Sequence, residues 1–589
     1  MIVPMKKAVV ITQAKDSLNA LNKLRSSGVL HVRHEQPPKG KDIIALREEI
    51  ALINQALSIL SGIKSGSKDA PIKNGGFDEK FICRHIIDLY KRREQLTEYS
   101  RSLSTLIKQY EEWGDFNPQE FTDLAGKNIF AGLYQIPLKQ LKQLGDDIAV
   151  SKLSVKGGIA NCLLVSAKKI DIGLKEIPLP RMGLADMRKR CSQDSQAIES
   201  LEQQFIDQLS YQPGLNRFKS GLEKELEFQE ALSGMGQAEE LSYVSGYIPF
   251  DSVEKLERLA KQEQWALNID EPDPEENPPV LLRNPAWIAV IKPVFKFLEI
   301  LPGYHELDIS LPFLVFFSIF FGILIGDAGY GLVYCLITFF LHQRARKNKQ
   351  KTSGFFLFYI LSFCAIIWGV CTGTFFGQEW VLKAGYKPLI PALNDEKKLQ
   401  SLCFFIGALH LSIAHIWRSI LKSPSFSALA DIGWTCILWA CFFIARVLIL
   451  GDSFPFFGNW LLFAGIALVV IFTSPQKNIL KGIGQGLGTL ALSLVNNFTD
   501  VVSYIRLFAV GLAGVAISDA FNAMASSAGN QGIFALMLAG FILLVGHSLA
   551  IVLGPVAVLV HGIRLNVLEF SGHANVSWSG QNYRPLKDQ

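Results

Sequence analysis

From residue 311 to residue 570 the chain is dominated by Leu, Ile, Phe, Val, Ala and Gly, and no other feature constrains its fold as strongly. Apolar runs of about 17–25 residues are long enough to cross a bilayer as helices. Clear runs occupy 355–377, 402–421, 431–450 and 457–473. Two far longer ones cover 485–525 and 532–570. A helix of about 40 residues is near 60 Å long, about twice the hydrocarbon thickness, so each must tilt, kink or protrude. The first block, 311–341, admits either one overlong helix or two short ones broken at "GDAGYG", residues 326–331. The basic cluster "RARKNKQK" at 344–351 selects the pair. Positive clusters favour the cytoplasmic side, and with a cytoplasmic N-terminal half only two crossings place it there. That gives about eight spans in total. "WRSILKSP", "SPQKNILKG" and the C-terminal "YRPLKDQ" then also fall inside, and the near-neutral "GDSFPFFGN" outside.

Residues 1–310 are charged and mixed, as in a soluble protein. "MIVPMKKAVVITQAKD" carries no long apolar core or cleavage-like site, so no signal peptide is read and this half is expected in the cytoplasm. The formal net charge of the 589 residues, +5, is modest and does not point to nucleic acid. Nine cysteines without a CxxC pattern are read as packing residues, with no disulfide framework or zinc site.

Within the soluble half, "MKKAVVIT" reads as a strand, "SLNALNKLRSSG" as a helix closed by Gly28, and "VLHVRHE" as a second strand. The period then changes. Ile43, Leu46, Ile50, Ile53, Leu57 and Leu60 alternate steps of three and four, a heptad seam. Ile82, Ile86, Leu89, Leu96, Leu103, Leu106 and Tyr110 continue it after a Gly/Ser/Lys break at 62–76. Leu184, Met187, Cys191, Ile198, Leu201, Phe205 and Leu209 form a third run. Narrow seams of this length predict antiparallel coiled coils, with ordinary globular domains carrying long helices as the alternative. Between these arms "NIFAGLYQIP", "LKQLKQLGDD", "IAVSKLSV" and "NCLLVSAKK" mix strand and helix signals, and 241–272 reads strand, helix, strand. The expected fold is mixed: cytoplasmic α/β lobes joined by long antiparallel coiled-coil arms over 1–310, then an all-α polytopic membrane domain over 311–589. "EPDPEENPP", 271–279, is read as the linker into it.

No GxxxxGK[ST], HExxH or GxSxG motif is evident, so the chain by itself is not expected to hydrolyse ATP. "KGIGQGLG", 481–488, lacks the phosphate-loop lysine, and its small residues read as a close helix contact. Ionisable residues within spans are costly and are functional candidates by default. Arg506 and Arg564 stand out, one in each overlong run. Arg506 has no acidic residue nearby on its own face, and Ala509, Gly511, Ala513 and Gly514 leave that surface open to another helix. His561 lies three residues before Arg564, on the same face of a regular helix. Asn496 and Ser503 add polar groups to the first long helix, and Glu569 follows the second arginine. Competing structural readings are snorkelling for the arginines, packing for His561, a cap-and-turn role for Asp327, and helix-end positions for Asp519 and His547. A guanidinium without an acid in its own chain calls for a carboxylate supplied by a partner, which is the logic of an ion-driven rotor.

"SYIRLFAVGLAG" and "HGIRLNVLEF" resemble the two arginine-bearing helices of the membrane stator subunit of V/A-type rotary ATPases. "ALNKLRSSGVLHVR", "YVSGYIPFDSVEKL", the run from "NPPVLLRNPAW" to "GDAGYG", "WGVCTGTFFG" and "GQNYRPLK" are similar to further segments of that family, in the same order. The resemblance implies two offset half-channels against a proteolipid ring with one carboxylate per ring subunit. Arg506 would separate the half-channels and Arg564 assist. The implied partners are the ring, peripheral stalks, the central-stalk or ring-cap subunit and, indirectly, the ATPase head. No cofactor or metal is implied, and the coupling ion, H+ or Na+, stays open. Gly514 and Gly554 stand where eukaryotic relatives carry His and Glu, which favours a bacterial or archaeal member. A self-sufficient ion transporter with a cytoplasmic regulatory rod is the alternative, weakened by the absence of evident inverted repeats.

Overall fold

The computed structural model describes residues 1–63, 78–141, 147–169, 176–350, 352–377, 385, 388–473, 479–528 and 532–587. Most of the 62–76 break and half of "LKQLKQLGDD" lie outside the described residues. Two compact units emerge, one built mainly from Ile11–Gly28 and Val32–Ser245, the other from Met1–Val10, Val29–His31 and Gly246–Pro585.

The first of these is helical at its core. Helix α1 (Ser17–Ser27) stops at Gly28, whose φ of 61° lets its N–H reach the Leu24 carbonyl. Then come α2 (Lys41–Ser61), α3 (Glu79–Tyr110), α4 (Pro118–Gly126), α5 (Leu184–Gln208) and α6 (Gln212–Ser233). The Asp78 side chain accepts from the Lys80 and Phe81 N–H groups and so starts α3. The seam residues meet: Ile53, Leu60, Ile82, Ile86, Leu201 and Phe205 share one buried cluster with Leu215 of α6. The sequence reading stops short of α6 because "QPG" looks like a terminator. Pro213 instead occupies the first turn, where its missing N–H costs no hydrogen bond. Between α4 and α5 lies an antiparallel sheet of β3 (Phe130–Pro137), β4 (Ala149–Lys156), β5 (Ile159–Ser166) and β6 (Glu176–Ile177), in the order β4-β5-β3-β6. Its alternating inward residues Tyr134, Ile136, Ala160, Cys162 and Leu164 close a separate small core.

Strands β1 (Met5–Gln13), β2 (His31–Arg33), β8 (Leu241–Pro249) and β9 (Ala266–Asp270) make a second sheet in the order β2-β8-β1-β9, with β7 (Gly236–Ala238) beside β8. The segment read as a linker is tied down: Lys6 pairs with Glu271 at 2.6 Å, and Lys7 with Glu276 at 2.7 Å. After it, Val280 bridges to Asn582 near the C-terminus. Tyr583 donates its hydroxyl to the Val29 carbonyl, and the Arg584 N–H reaches His31 Nδ1 at 3.0 Å.

Helix α7 (Val253–Glu263) and the short α8 (Lys292–Phe297) precede the apolar half. Helices α9 (Ser310–Ile325) and α10 (Ala328–Lys347) are separate. Gly326 sits at φ 66° and the Asp327 side chain caps α10 through the Tyr330 N–H at 3.0 Å. Asp327 also accepts from the Gly377 N–H at 2.7 Å, so the cap-and-turn role describes it. Next come α11 (Phe355–Thr372), α12 (Glu396–Lys422), α13 (Ser427–Ala445) and α14 (Phe456–Phe472). The last part holds α15 (Ile479–Ser503), α16 (Ile505–Ala528) and α17 (Ile533–Ala557). Among the described residues five stretches are long and apolar enough to span a membrane: 355–372, 396–422, 427–450, 483–528 and 533–574. Helices α9 and α14 are shorter apolar helices. The last two spans measure 46 and 42 residues, so the two overlong runs are real. The first is broken at Tyr504. The second carries Pro555 and two π-helical segments, Val558–Gly562 and Leu565–Phe570.

Candidate functional site

Arg506 is the second residue of α16, just past the break at Tyr504, a residue fully buried with its hydroxyl 2.8 Å from His410 Nδ1. His410 is itself stacked between Phe316 and Phe570, at ring-centroid distances of 3.9 and 4.3 Å. The break is therefore clamped by a packed aromatic cluster, which fixes where the arginine starts.

Arg564 lies between the two π segments, and Glu569 lies inside the second. On a regular α-helix, residues five apart point roughly 140° away from each other. An i→i+5 winding stacks them instead, and here Arg564 Nε comes within 3.6 Å of Glu569 Oε1. Arg506 Nη1 reaches the same oxygen, also at 3.6 Å. The expectation that Arg506 finds no acid in its own chain is thus corrected: the acid comes from the other long span, brought round by π winding. The contacts are loose, since 3.6 Å exceeds hydrogen-bond range. Arg506 Nη1 and Glu569 Oε2 are both buried without a hydrogen-bond partner. Arg564 is about half exposed (54%) and Glu569 is buried (5%).

Of the other sequence candidates, His561 is partly buried in the first π segment, Ser503 is partly buried beside the Tyr504 break, and Asn496 is exposed on α15. Beyond Arg506, Ala509, Leu512, Ala513, Ala516 and Ile517 form an exposed stripe down one face of α16. Gly511 lies off this stripe. A Cβ there would meet the Ile323 carbonyl oxygen at 2.6 Å, so its smallness serves contact with α9 of the same chain, whereas at Gly514 a Cβ would meet nothing. His547 joins a polar knot through Tyr330, whose hydroxyl is 2.8 Å from both His547 Nδ1 and Ser518 Oγ.

Two cavities flank the arginine along its span. One, of about 420 Å³, is lined by Thr489, Ser493, Asn496, Asn497 and Asp500 of α15, and by His415, Arg418, Lys422, Asp431 and His573. The other, of about 250 Å³, is lined by Leu507, Gly511 and Val515 of α16, and by Thr372, Thr374 and Glu396. The first is strongly polar. Asp431, buried at 2%, takes a 2.7 Å contact from Lys422 Nζ and faces Arg418 Nη2 and His415 Nδ1, each at 3.5 Å. His415 Nε2 lies 2.8 Å from His573 Nδ1, and His573 Nε2 lies 3.0 Å from Asp500 Oδ2. Sequence reasoning caught only Asn496 here and used Arg418 and Lys422 as markers of orientation. The available signal was a set of ionisable residues inside or at the ends of apolar helices, but four separate helical segments contribute and their convergence is tertiary.

No family model matches the chain. Among curated proteins it is similar to V-type ATP synthase subunit I of Borreliella burgdorferi, 31% identical across 100% of this chain and 99% of that protein. V-type ATP synthase subunit I 1 of Treponema pallidum is 28% identical over the full length of both. A-type ATP synthase subunit I of Methanocaldococcus jannaschii is 25% identical over 84% of this chain and 81% of its own length. With a relative above 30% identity aligned end to end, the chain belongs to the V-type/A-type ATP synthase subunit I family.

Proposed function

We propose that this rotary ATPase subunit is the membrane stator: it holds Arg506 against the carboxylates of a moving proteolipid ring and gives ions access to them from both sides. The observation that carries the reading is the shared carboxylate. Two guanidinium groups from two different long spans converge on one buried oxygen of Glu569 without forming a hydrogen bond to it. A loosely held, partly buried arginine is ready to re-pair. An arriving ring carboxylate forms the short charge-assisted contact that Glu569 does not make. Arg506 then favours the ionised state of that carboxylate, so the ion must leave before the ring group passes.

The exposed stripe of Ala, Leu and Ile on α16 supports a ring contact on the arginine's side of the helix. The two cavities support separate ion access. One is lined by residues up to Asp500 and the other by residues from Leu507 onward, so Arg506 lies between them along the span. In this reading about eight helices cross the membrane. The N-terminal half and the C-terminus are cytoplasmic, residues 1–310 form an arm bound to peripheral stalks, and the membrane domain follows from 311. Arg564, half exposed, supports Arg506 and the ring carboxylate from the second span. His561, Asn496 and Ser503 provide polar groups along the access paths.

The test is Arg506→Ala in the assembled complex, reconstituted in liposomes. ATP-driven ion uptake is expected to vanish while ATP hydrolysis by the head persists. Coupled uptake at the wild-type rate would refute the reading, and ion flux from the purified chain alone would favour a self-sufficient transporter.

A further inference from the structure

The helix ends on one side of the α9–α11 group carry an unbalanced charge. The chain holds no acidic residue between Glu276 and Glu299, and none between Asp327 and Glu379. Over the same stretches lie Lys292 and Lys296 of α8, and Arg344, Arg346, Lys347 and Lys349 at and just past the end of α10. All six are exposed. Side-chain contacts bring the two stretches together. Phe295 of α8 meets Phe313 of α9 edge to face at 5.0 Å, and a Cβ on Gly354 would lie 3.8 Å from Pro293 Cγ. His342 of α10 stacks on Phe355, the first residue of α11, at 5.3 Å. The start of α9, the end of α10 and the start of α11 therefore share one face with α8.

Among the described residues none of these six cations pairs with a carboxylate. Lys292 Nζ donates to the Leu282 carbonyl oxygen at 3.2 Å, and no side-chain hydrogen bond engages the other five. Cations gathered without acids repel one another and call for anions from outside the chain. Large apolar side chains stand beside them. Trp287 is 60% exposed, Phe297 at the end of α8 is 72% exposed, and Phe356 in the first turn of α11 is 54% exposed. Aromatic groups next to basic ones suit the boundary where headgroups meet acyl chains. We propose that this face binds anionic phospholipid headgroups, with Trp287, Phe297 and Phe356 set into the adjoining acyl region. The proposal rests on the crossing pattern read above and not on the role of Arg506.

Two observations select a lipid over a soluble anion or an acidic protein. The exposed aromatic face does not stop at Phe356 but continues along α11 through Phe358, Ile360 and Phe363, all exposed. A ligand matched to the whole surface is therefore anionic at one end and hydrocarbon at the other. The cations also come from separate helix ends, two on α8 and four at the end of α10, so headgroups lying side by side can reach them all. Arginine grips a phosphate with paired N–H groups, and lysine adds point charge. Each Lys or Arg at an anionic surface strengthens association about fivefold.

The experiment places the full-length chain in nanodiscs made of equal parts phosphatidylglycerol and phosphatidylcholine. One lipid or the other carries brominated acyl chains, which quench tryptophan on contact. The part of the quenching that Trp287→Phe removes reports the lipid at this face. Brominated phosphatidylglycerol is expected to quench that part at least about fivefold more effectively than brominated phosphatidylcholine, and concentrated KCl should shrink the preference by screening. Changing Arg344→Gln, Arg346→Gln, Lys347→Gln and Lys349→Gln together should abolish the preference while either lipid still quenches. If that variant fails to insert, Lys296→Gln takes its place and should lower the preference at least about twofold. Equal quenching by both lipids in the wild type, no quenching of Trp287 by either, or a full preference in the substituted chains overturns the proposal. So does loss of the preference to inorganic phosphate at matched ionic strength, which marks a site for the free ion. None of these outcomes bears on coupled uptake in Arg506→Ala, so this failure and failure of the stator reading are separable.

Discussion

Glu569 gives the sharpest test of the site, because one oxygen serves two guanidinium groups at equal distance in unequal surroundings. At 3.6 Å and an effective dielectric near 20, a unit charge pair is worth about 4–5 kcal/mol before desolvation. The Arg564 pair loses most of this to solvent, since that side chain is 54% exposed, and exposed pairs are worth about 0–1 kcal/mol. Arg506 is only 20% exposed and keeps more. Removing one member of a buried pair costs about 3–5 kcal/mol, because the other charge is left uncompensated. Glu569→Gln should therefore cost about 3–5 kcal/mol, or on the order of 6–20 °C in Tm for a membrane half of this size. Arg564→Gln should cost under about 1 kcal/mol. The assay is thermal unfolding of the purified chain in detergent, arranged as double-mutant cycles. Glu569→Gln with Arg506→Gln should recover at least about 2 kcal/mol relative to the sum of the single variants, and Glu569→Gln with Arg564→Gln should be nearly additive. Equal coupling in both cycles, or none in either, would refute the assignment of Glu569 as the internal partner of Arg506.

Gly511→Ala should lower Tm in detergent, at a cost of about 1–3 kcal/mol, because its Cβ would lie 2.6 Å from the Ile323 carbonyl oxygen. Gly514→Ala meets nothing and should be neutral or stabilising by up to about 1 kcal/mol. Outside the membrane, burial pushes the Glu306 carboxyl upward. Hydrogen bonds from the Ser577 hydroxyl and from the Gly303, Ser577 and Trp578 N–H groups outweigh it and hold the group below its ordinary 4.5. Its stabilising share is thus present above pH 4.5 and lost as pH falls through the lower folded value, so Glu306→Gln should flatten the acid limb of a Tm-against-pH curve. Burial, with Glu79 adding to it, pushes the Cys83 thiol up to about 11. Maleimide labelling at pH 8 should leave Cys83 unmodified until the helical unit is unfolded.

Much of this architecture is written in the chain, and the rest is hidden for definite reasons. The heptad seams of α2, α3 and α5 are local patterns, and part of each seam shares one core, while Tyr110 and Leu184 pack in another. Gly326 and Asp327 announce the break between α9 and α10 because an αL glycine followed by a cap is a short-range signal. Arg506 and Arg564 are conspicuous because a permanent cation in an apolar span is costly wherever it points. Glu569 shows in the sequence, but its partnership does not. Five residues from Arg564 it belongs on another face of a regular helix, and nothing in "RLNVLEF" announces π winding. The Asp431, His415, His573 and Asp500 chain is less legible still, since each residue alone looks like an ordinary polar group near a helix end. The structure also gives a reason for Gly554, where the family resemblance leads one to expect Glu. A Cβ there would come within 2.8 Å of Ile325 Cδ1 and 2.9 Å of the Tyr334 hydroxyl, which donates to the Ile551 carbonyl oxygen. Side-chain ends from α9 and α10 already lie where the Cβ of an acid would start.

The C-terminal tail has a mechanical consequence. Residues 281–283 pair with the first residues of the chain, and Val280 exchanges backbone hydrogen bonds with Gln581 and Tyr583. All the helices from α9 onward therefore form a loop whose entry and exit are riveted to the same small patch. Drag applied to any one of them divides between two strands in parallel and loads their hydrogen bonds together in shear, where no single bond can open first. Cutting the chain after residue 574 would remove the exit and turn a closed harness into a single tether.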